Sequence, residues 1–245
     1  MPRLSAEAVL AIWEQAPIDD AVRGPLTVLA HAYPELSEDN LLDLSIGERD
    51  SLLLQLRHQL FGENLDGFAH CPSCDERLEF SITVGEIRRT GYPGVLDRVL
   101  DVKTSDVQAR MRLPNSHDLV QIQRCQNPER AAHLLFERCI ERIECQGRRL
   151  TPGELPEDLL AMLDERLSQQ QGLADLELEI QCDACGHSWK AQLDIASFFI
   201  RELGRYAGQL LDQVHMLATA YGWTEQAILG MHPHRRSAYL ERLLT

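Results

Sequence analysis

Cys71-Pro72-Ser73-Cys74-Asp75-Glu76-Arg77-Leu78-Glu79-Phe80-Ser81-Ile82-Thr83-Val84 is the stretch on which the reading of this chain turns. It opens with a Cys-x-x-Cys knuckle and runs into strict alternation. Leu78, Phe80, Ile82 and Val84 are apolar and the residues between them polar, the period-two pattern of a half-buried strand. A second knuckle, Cys182-Asp183-Ala184-Cys185, has the same setting. Leu176, Leu178 and Ile180 alternate before it, and Trp189, Ala191, Leu193 and Ile195 alternate after it. Each knuckle is therefore expected at a hairpin tip, as in a zinc ribbon. Gly186 follows the second knuckle where a positive φ is often needed, and Asp75 takes the equivalent place after the first as a tolerable substitute. One such turn presents two thiolates, and two turns supply the tetrahedral sulfur shell that structural zinc prefers. Cys71, Cys74, Cys182 and Cys185 are the predicted ligands of one structural Zn2+ per chain.

The knuckles are separated by 107 residues. Closing a loop of that length costs about 4 kcal/mol plus a constant. Structural zinc contributes on the order of 10–16 kcal/mol, enough to close the site around an inserted segment that folds separately or packs back. Three other readings stand beside this one. The first knuckle alone looks like a thiol-redox motif, but that chemistry places its first cysteine at a helix N-terminus, and here a strand follows. The knuckles could also be metal-free, or His70 or His187 could replace one sulfur. Of the other cysteines, Cys139 reads as a small core residue, whereas Cys125 and Cys145 have no partner at ligand spacing.

The rest of the composition narrows the function classes. The chain has 245 residues, 44% of them apolar, with 24 Lys plus Arg against 38 Asp plus Glu, for a net charge of −14. That is globular composition, and its acidity argues against a protein built to hold a phosphate backbone. Apolar runs such as Val9 to Trp13 are far short of the roughly 18–20 residues that span a bilayer. No signal-like segment opens the sequence, where Glu7 and Glu14 interrupt the apolar residues. A cytoplasmic location is expected, and seven cysteines, an odd number, do not suit a closed disulfide framework.

Outside the knuckles, periodicity predicts mostly helix. Ser5 can cap a first helix with Val9, Ile12 and Trp13 on its apolar side, and a second runs from about Asp20 to Tyr33. Ser45-Ile46-Gly47-Glu48 is a capping box ahead of Leu52, Leu53, Leu56 and Leu60. The acids Glu48 and Asp50 then lie where the helix dipole favours them, which explains the Gly47-Glu48-Arg49-Asp50 run without a catalytic pair. Val107, Ala109, Met111 and Leu113 read as a strand ending at Pro114. A helix is expected from Pro128 to Glu144, with Ala132, Leu135, Cys139 and Ile143 on one face, and another from Pro156 to Gln170. Phe199, Leu203, Tyr206, Leu210, Val214, Leu217 and Tyr221 mark a long helix from Ala196. Two short helices follow, Thr224 to Gly230 and Pro233 to Leu244. The fold class is α+β, mostly helical: an N-terminal helical region (1–64), a zinc-ribbon β module (65–85 plus 176–196), an inserted mixed segment (86–175) and a helical C-terminus (197–245).

Two charge clusters invite functional readings. Residues 151–185 hold nine acids and one base, a solvated face in the first instance and an acidic docking surface in the second. His232, His234, Arg235, Arg236 and Arg242 form a small basic tail, the basis of an alternative reading as a zinc-ribbon nucleic-acid-binding regulator. No Gly-rich phosphate loop, Gly-x-Ser-x-Gly elbow or His-Glu-x-x-His is found, so no catalytic residues are expected.

Several blocks taken together resemble the baseplate hub assembly chaperones of contractile-tailed phages and of phage-tail-like contractile injection systems. They are Leu44-Ser45-Ile46-Gly47-Glu48-Arg49-Asp50, Leu53-Leu54-Gln55-Leu56-Arg57 and Phe61-Gly62, then Cys71-Pro72-x-Cys74 leading to Leu78-Glu79-Phe80. Cys182-x-x-Cys185-Gly186-His187-x-Trp189 follows, and then Val214-His215-x-Leu217-Ala218-x-Ala220-Tyr221-Gly222-Trp223-x-Glu225. Asp75 departs from the pattern, which favours Gly there. The resemblance spans the chain, strongest in 44–85 and 176–245. It implies a non-enzymatic protein with no small-molecule substrate. It would act on the baseplate hub, spike or other baseplate proteins in the bacterial cytoplasm during assembly, or within the finished particle.

Overall fold

The computed structural model describes residues 4–16, 20–91, 98–170 and 172–243. It is α+β and about 56% helical. The N-terminal helices begin where side chains can satisfy their free amides. Helix α1 (Ala6–Gln15) is capped by Ser5, which accepts from the Ala8 N–H. Asp20 accepts from the N–H groups of Val22 and Arg23 ahead of α2 (Arg23–Ala32). Ser37 caps α3 (Glu38–Leu42), a single short helix that periodicity does not reveal. Helix α4 (Ile46–Phe61) starts on the predicted box: Ser45 Oγ accepts from the Glu48 N–H, and Glu48 accepts from the Ser45 N–H at 2.9 Å. It stops at Gly62, whose φ of +84° suits the absence of a side chain.

Strands β1 (Asn64–His70) and β2 (Arg77–Thr83) form an antiparallel hairpin with the first knuckle at its tip, and α5 (Val84–Gly91) follows. Next comes a four-stranded sheet in the order β3 (Val99–Lys103), β4 (Val107–Arg112), β5 (Ile140–Cys145), β6 (Arg148–Arg149). It is accompanied by α6 (Ser116–Ile122), α7 (Pro128–Cys139) and α8 (Glu157–Ser168). The second hairpin, β7 (Glu177–Gln181) and β8 (Ser188–Gln192), carries the second knuckle. Helices α9 (Ile195–Tyr221), α10 (Glu225–Leu229) and α11 (Pro233–Leu243) complete the described chain. Residues 244–245 lie outside it, including the Leu244 end of the last expected helix.

Buried apolar side chains fall into two clusters. The larger joins α1, α2, α4 and α5 to the first half of α9, with Val9, Leu53, Leu54, Ile87, Phe199 and Leu203 at its centre. Burying each such side chain is worth about 1.5–3 kcal/mol, which makes α9 the spine of this body. The smaller cluster lies within 107–167 and packs Val107, Ala109 and Met111 of β4 against Phe136, Cys139, Ile143 and Leu163. Polar contacts join the two. A bridge pairs Ser45 with Asn115, and the Ile46 N–H donates to the Pro114 carbonyl at 2.9 Å. Asn115 and Asp118 form the capping box of α6, so two helix starts meet back to back. The outer oxygen of Glu48 accepts from Arg98 at 2.8 Å.

Several expectations are corrected. The helix expected over 128–144 ends at Cys139, and residues 140–145 form β5. Ile140 and Ile143 are β-branched and pair with β4, while Gln146 and Gly147 take φ of +51° and +77° to turn the chain into β6. Trp13 and Tyr221 lie on predicted apolar faces but are more than one-third exposed; Tyr221 packs outside the core, stacked on Trp223 and edge-on to Tyr239. Asp50 is not a first-turn acid of α4, where Glu48 alone has that place. Asp50 is buried and accepts from Arg49 Nε at 2.8 Å. Burial raises its pKa above the usual carboxylate range, against the pull of the Arg49 charge.

Candidate metal centre

The two knuckles, far apart in sequence, have the same backbone. In the first, the Cys71 N–H donates to the Glu76 carbonyl and the Asp75 N–H donates back to the Cys71 carbonyl, both at 2.9 Å. In the second, the Cys182 N–H donates to His187 and the Gly186 N–H to Cys182, both at 2.8 Å. Each knuckle has a left-handed residue in the same place, Asp75 at φ +60° and Gly186 at +74°. The register of the hairpins fixes this: His70 faces Arg77 and Gln181 faces Ser188, so each ladder closes onto a Cys-x-x-Cys tip.

The four Sγ atoms lie within 4.8 Å of one another. Cys71 approaches Cys185 and Cys74 approaches Cys182, each at 3.6 Å, so the near pairs cross between knuckles. These distances are far above the roughly 2.05 Å of a disulfide. Cys71 and Cys182 are buried and Cys74 and Cys185 exposed, one of each from every hairpin. The sulfurs oppose one another electrostatically. Burial disfavours the Cys71 thiolate, but donors from Ser73, Cys74 and Cys185 outweigh it and bring the pKa to about 7. The Glu76 N–H favours a Cys74 thiolate, yet the sulfurs of Cys185, Cys182 and Cys71, together with burial, push it up to about 12. Hydrogen bonds among the thiols accommodate one thiolate, at Cys71, whereas four thiolates this close would need a cation to offset their charge.

Neither neighbouring histidine joins the cluster. His70 turns toward Asp75, with Nδ1 at 3.4 Å from its carbonyl, and His187 stacks on Trp189. Cys139 is fully buried in the smaller core, and burial pushes its thiol up to about 12. Cys125 and Cys145 stand apart from the cluster; Cys125 Sγ lies 3.5 Å from the Asn127 carbonyl. Among the described residues, the four cysteines are the one set of three or more potential donor side chains gathered within ligating distance.

Two buried ionic nodes brace the surroundings, and neither is evident from sequence. Arg57 Nε and Nη2 reach the two carboxylate oxygens of Glu202 at 2.9 Å each, Nη1 reaches the Gly62 carbonyl at 2.8 Å and Nη2 the Asn64 carbonyl at 2.5 Å. One side chain thus ties α4 and the root of β1 to α9. Asp118, fully buried, accepts from Arg112 at 2.6 and 2.8 Å and from Arg138 at 2.8 Å. Of the basic tail, Arg236 is buried and bonds to Gln213 on α9 at 2.7 Å.

A family model described as T4 bacteriophage base plate protein matches residues 24–200, a span that includes both knuckles and the whole inserted segment. No curated protein and no solved structure gives a match.

Proposed function

The chain belongs to the T4 bacteriophage base plate protein family, and on that premise we propose that it is a non-enzymatic, zinc-stapled protein that helps assemble or build the baseplate hub of a contractile tail or injection machine. The observation that carries the role is the family match itself, which covers the four-cysteine cluster. The zinc reading is supported by fit. Tetrahedral zinc with bonds of about 2.3 Å sets its sulfurs about 3.8 Å apart, close to the 3.6 Å of the crossed pairs. Cys71, Cys74, Cys182 and Cys185 would hold the ion, whose contribution is charge neutralisation and a cross-link between hairpins. A four-sulfur shell has no open position for water or substrate, which supports a structural role. It brings the local charge to −2 and the chain to about −16. The partners are hub, spike or other baseplate proteins, met in the bacterial cytoplasm during assembly.

The test is co-expression of the full chain with the baseplate genes of its own cluster, followed by affinity purification and metal analysis. The role predicts stable co-purification with a hub or spike protein, and the zinc reading predicts about one ion per chain. Recovery of the chain alone from cells making every baseplate component overturns the role. Purified chain without stoichiometric zinc, with the thiols of Cys71, Cys74, Cys182 and Cys185 all open to alkylation, overturns the metal.

A further inference from the structure

The two hairpins do not pair with each other. Each is a separate two-stranded sheet, and between them, floored by the first turns of α9, lies an open groove of about 860 Å³. Its apolar lining includes Phe80, Leu178, Ile180 and Phe198. One wall is a strand edge and the other a sheet face. Four consecutive residues of β1, Asp66 to Ala69, line the first side, and Leu178 and Ile180 of β7 with Ala191 and Gln192 of β8 line the second. A strand that presents consecutive residues of both parities meets a space with its backbone edge rather than with one face. Each of β1 and β8 has a single sheet neighbour among the described residues, so half of its amides and carbonyls point away from its hairpin.

The charges at the groove select what fits. Arg201 and Arg205 line it one helical turn apart on α9, both exposed. Like charges at this spacing are mutually unfavourable, and no carboxylate among the described residues pairs with either. Other arginines of this acidic chain are paired, as in Arg57 with Glu202, Arg98 with Glu48 and Arg112 with Asp118. Exposed ones such as Arg130 and Arg149 have no such partner among the described residues, so it is the placement of Arg201 and Arg205 at the groove that matters. Of the acids at the groove, Asp194 is committed to capping α9 through the Ser197 N–H. The geometry points to a docking site for an extended segment of another protein, adding as a strand to β1, with apolar side chains toward α9 and the β7–β8 face and a carboxylate on Arg201 and Arg205. It deepens the baseplate reading, on which it rests for the identity of the partner. The four-cysteine cluster at the hairpin tips would hold the groove at constant width.

Site-specific photo-crosslinking tests this. p-Benzoylphenylalanine replaces Gln192 or Asp66, both exposed on the walls, in the full chain expressed with its complete gene cluster, and captured peptides are identified by mass spectrometry. The expected product is an acidic, apolar segment of a second protein. Its yield falls at least tenfold in Arg201→Glu/Arg205→Glu and is unchanged in Arg130→Glu/Arg149→Glu, the same charge change at exposed sites in the inserted segment. Circular dichroism confirms that both variants fold. Capture of a second copy of this chain, capture of a segment lacking carboxylates, or no capture while baseplate proteins still co-purify each overturns the docking site and leaves the baseplate role intact. Capture of an acidic segment from a protein unrelated to baseplates keeps the groove and overturns the role. No capture and no co-purification overturn both.

Discussion

Replacing Arg57 by methionine removes a buried cation while keeping the volume of its stem. The guanidinium makes four hydrogen bonds, two to Glu202 and one each to the carbonyls of Gly62 and Asn64, and its side chain is 3% exposed. Its loss leaves the Glu202 carboxylate, itself only 12% exposed, without a counterion, and two carbonyls without donors. Breaking a buried pair by removing one partner costs about 3–5 kcal/mol, a large share of the 5–15 kcal/mol typical of a folded domain. Removing both charges in Arg57→Met/Glu202→Leu should recover about 1–3 kcal/mol, since the orphaned carboxylate is gone while the carbonyls stay unpaired. Urea melts followed by tryptophan fluorescence measure this: Trp13, Trp189 and Trp223 all lie outside the inserted segment and report on the larger body. A single-variant cost below about 1 kcal/mol, or a double variant as unstable as the sum of the singles, would refute the argument.

Three further outcomes are expected. Asp118 is pushed up by burial, but Arg112, the Asn115 N–H and Arg138 outweigh this and hold its pKa below the usual 3.8. Its stabilisation is therefore present above pH 3.8 and lost as pH falls through the lower folded value; Asp118→Asn should cost about 3–5 kcal/mol at neutral pH and flatten the acid limb of a urea-midpoint profile. Leu163→Ala, at a fully buried site in the smaller core, should cost about 2–5 kcal/mol, with amide exchange rising in β4, β5 and α8 before α9; uniform loss of protection would show that the two cores unfold as one. Asp75→Gly relieves a left-handed non-glycine residue and should strengthen zinc retention against a competing chelator by up to about 1 kcal/mol, whereas weaker retention would mean that the Asp75 side chain helps the knuckle.

The legible parts of this fold are those that local physics determines. A Cys-x-x-Cys tip, the box at Ser45 and Glu48, alternation over 107–113 and the stripe on α9 are short-range patterns, and the structure forms each of them, with the α9 stripe buried at Phe199, Leu203, Leu210 and Leu217. Asp75 belongs with them, since the need for a positive φ follows from its position in the knuckle. What sequence hides is pairing at long range. Arg57 and Glu202 are 145 residues apart, and each alone looks like an ordinary charged helix residue. The strand at 140–145 is hidden because Cys139 and Ile143 also satisfy helical spacing; only pairing with β4 decides. Periodicity shows which side of α1 or α9 is apolar, but not how far along it the core extends, which is why Trp13 and Tyr221 emerge into solvent. The groove was invisible for the same reason, being made by the mutual placement of two hairpins.

The crossed knuckles also have a mechanical meaning. A cation bound to the four sulfurs turns the chain between Cys74 and Cys182 into a closed ring of 107 intervening residues. With that cation in place, tension across the rest of the protein would have a route along the first hairpin, through metal–sulfur bonds, into the second hairpin and α9. The smaller core within 107–167 lies outside that path, held to the larger body by the contacts at Ser45, Ile46 and Glu48. In a baseplate protein, such a closure would let the larger body bear force while the smaller core keeps its shape.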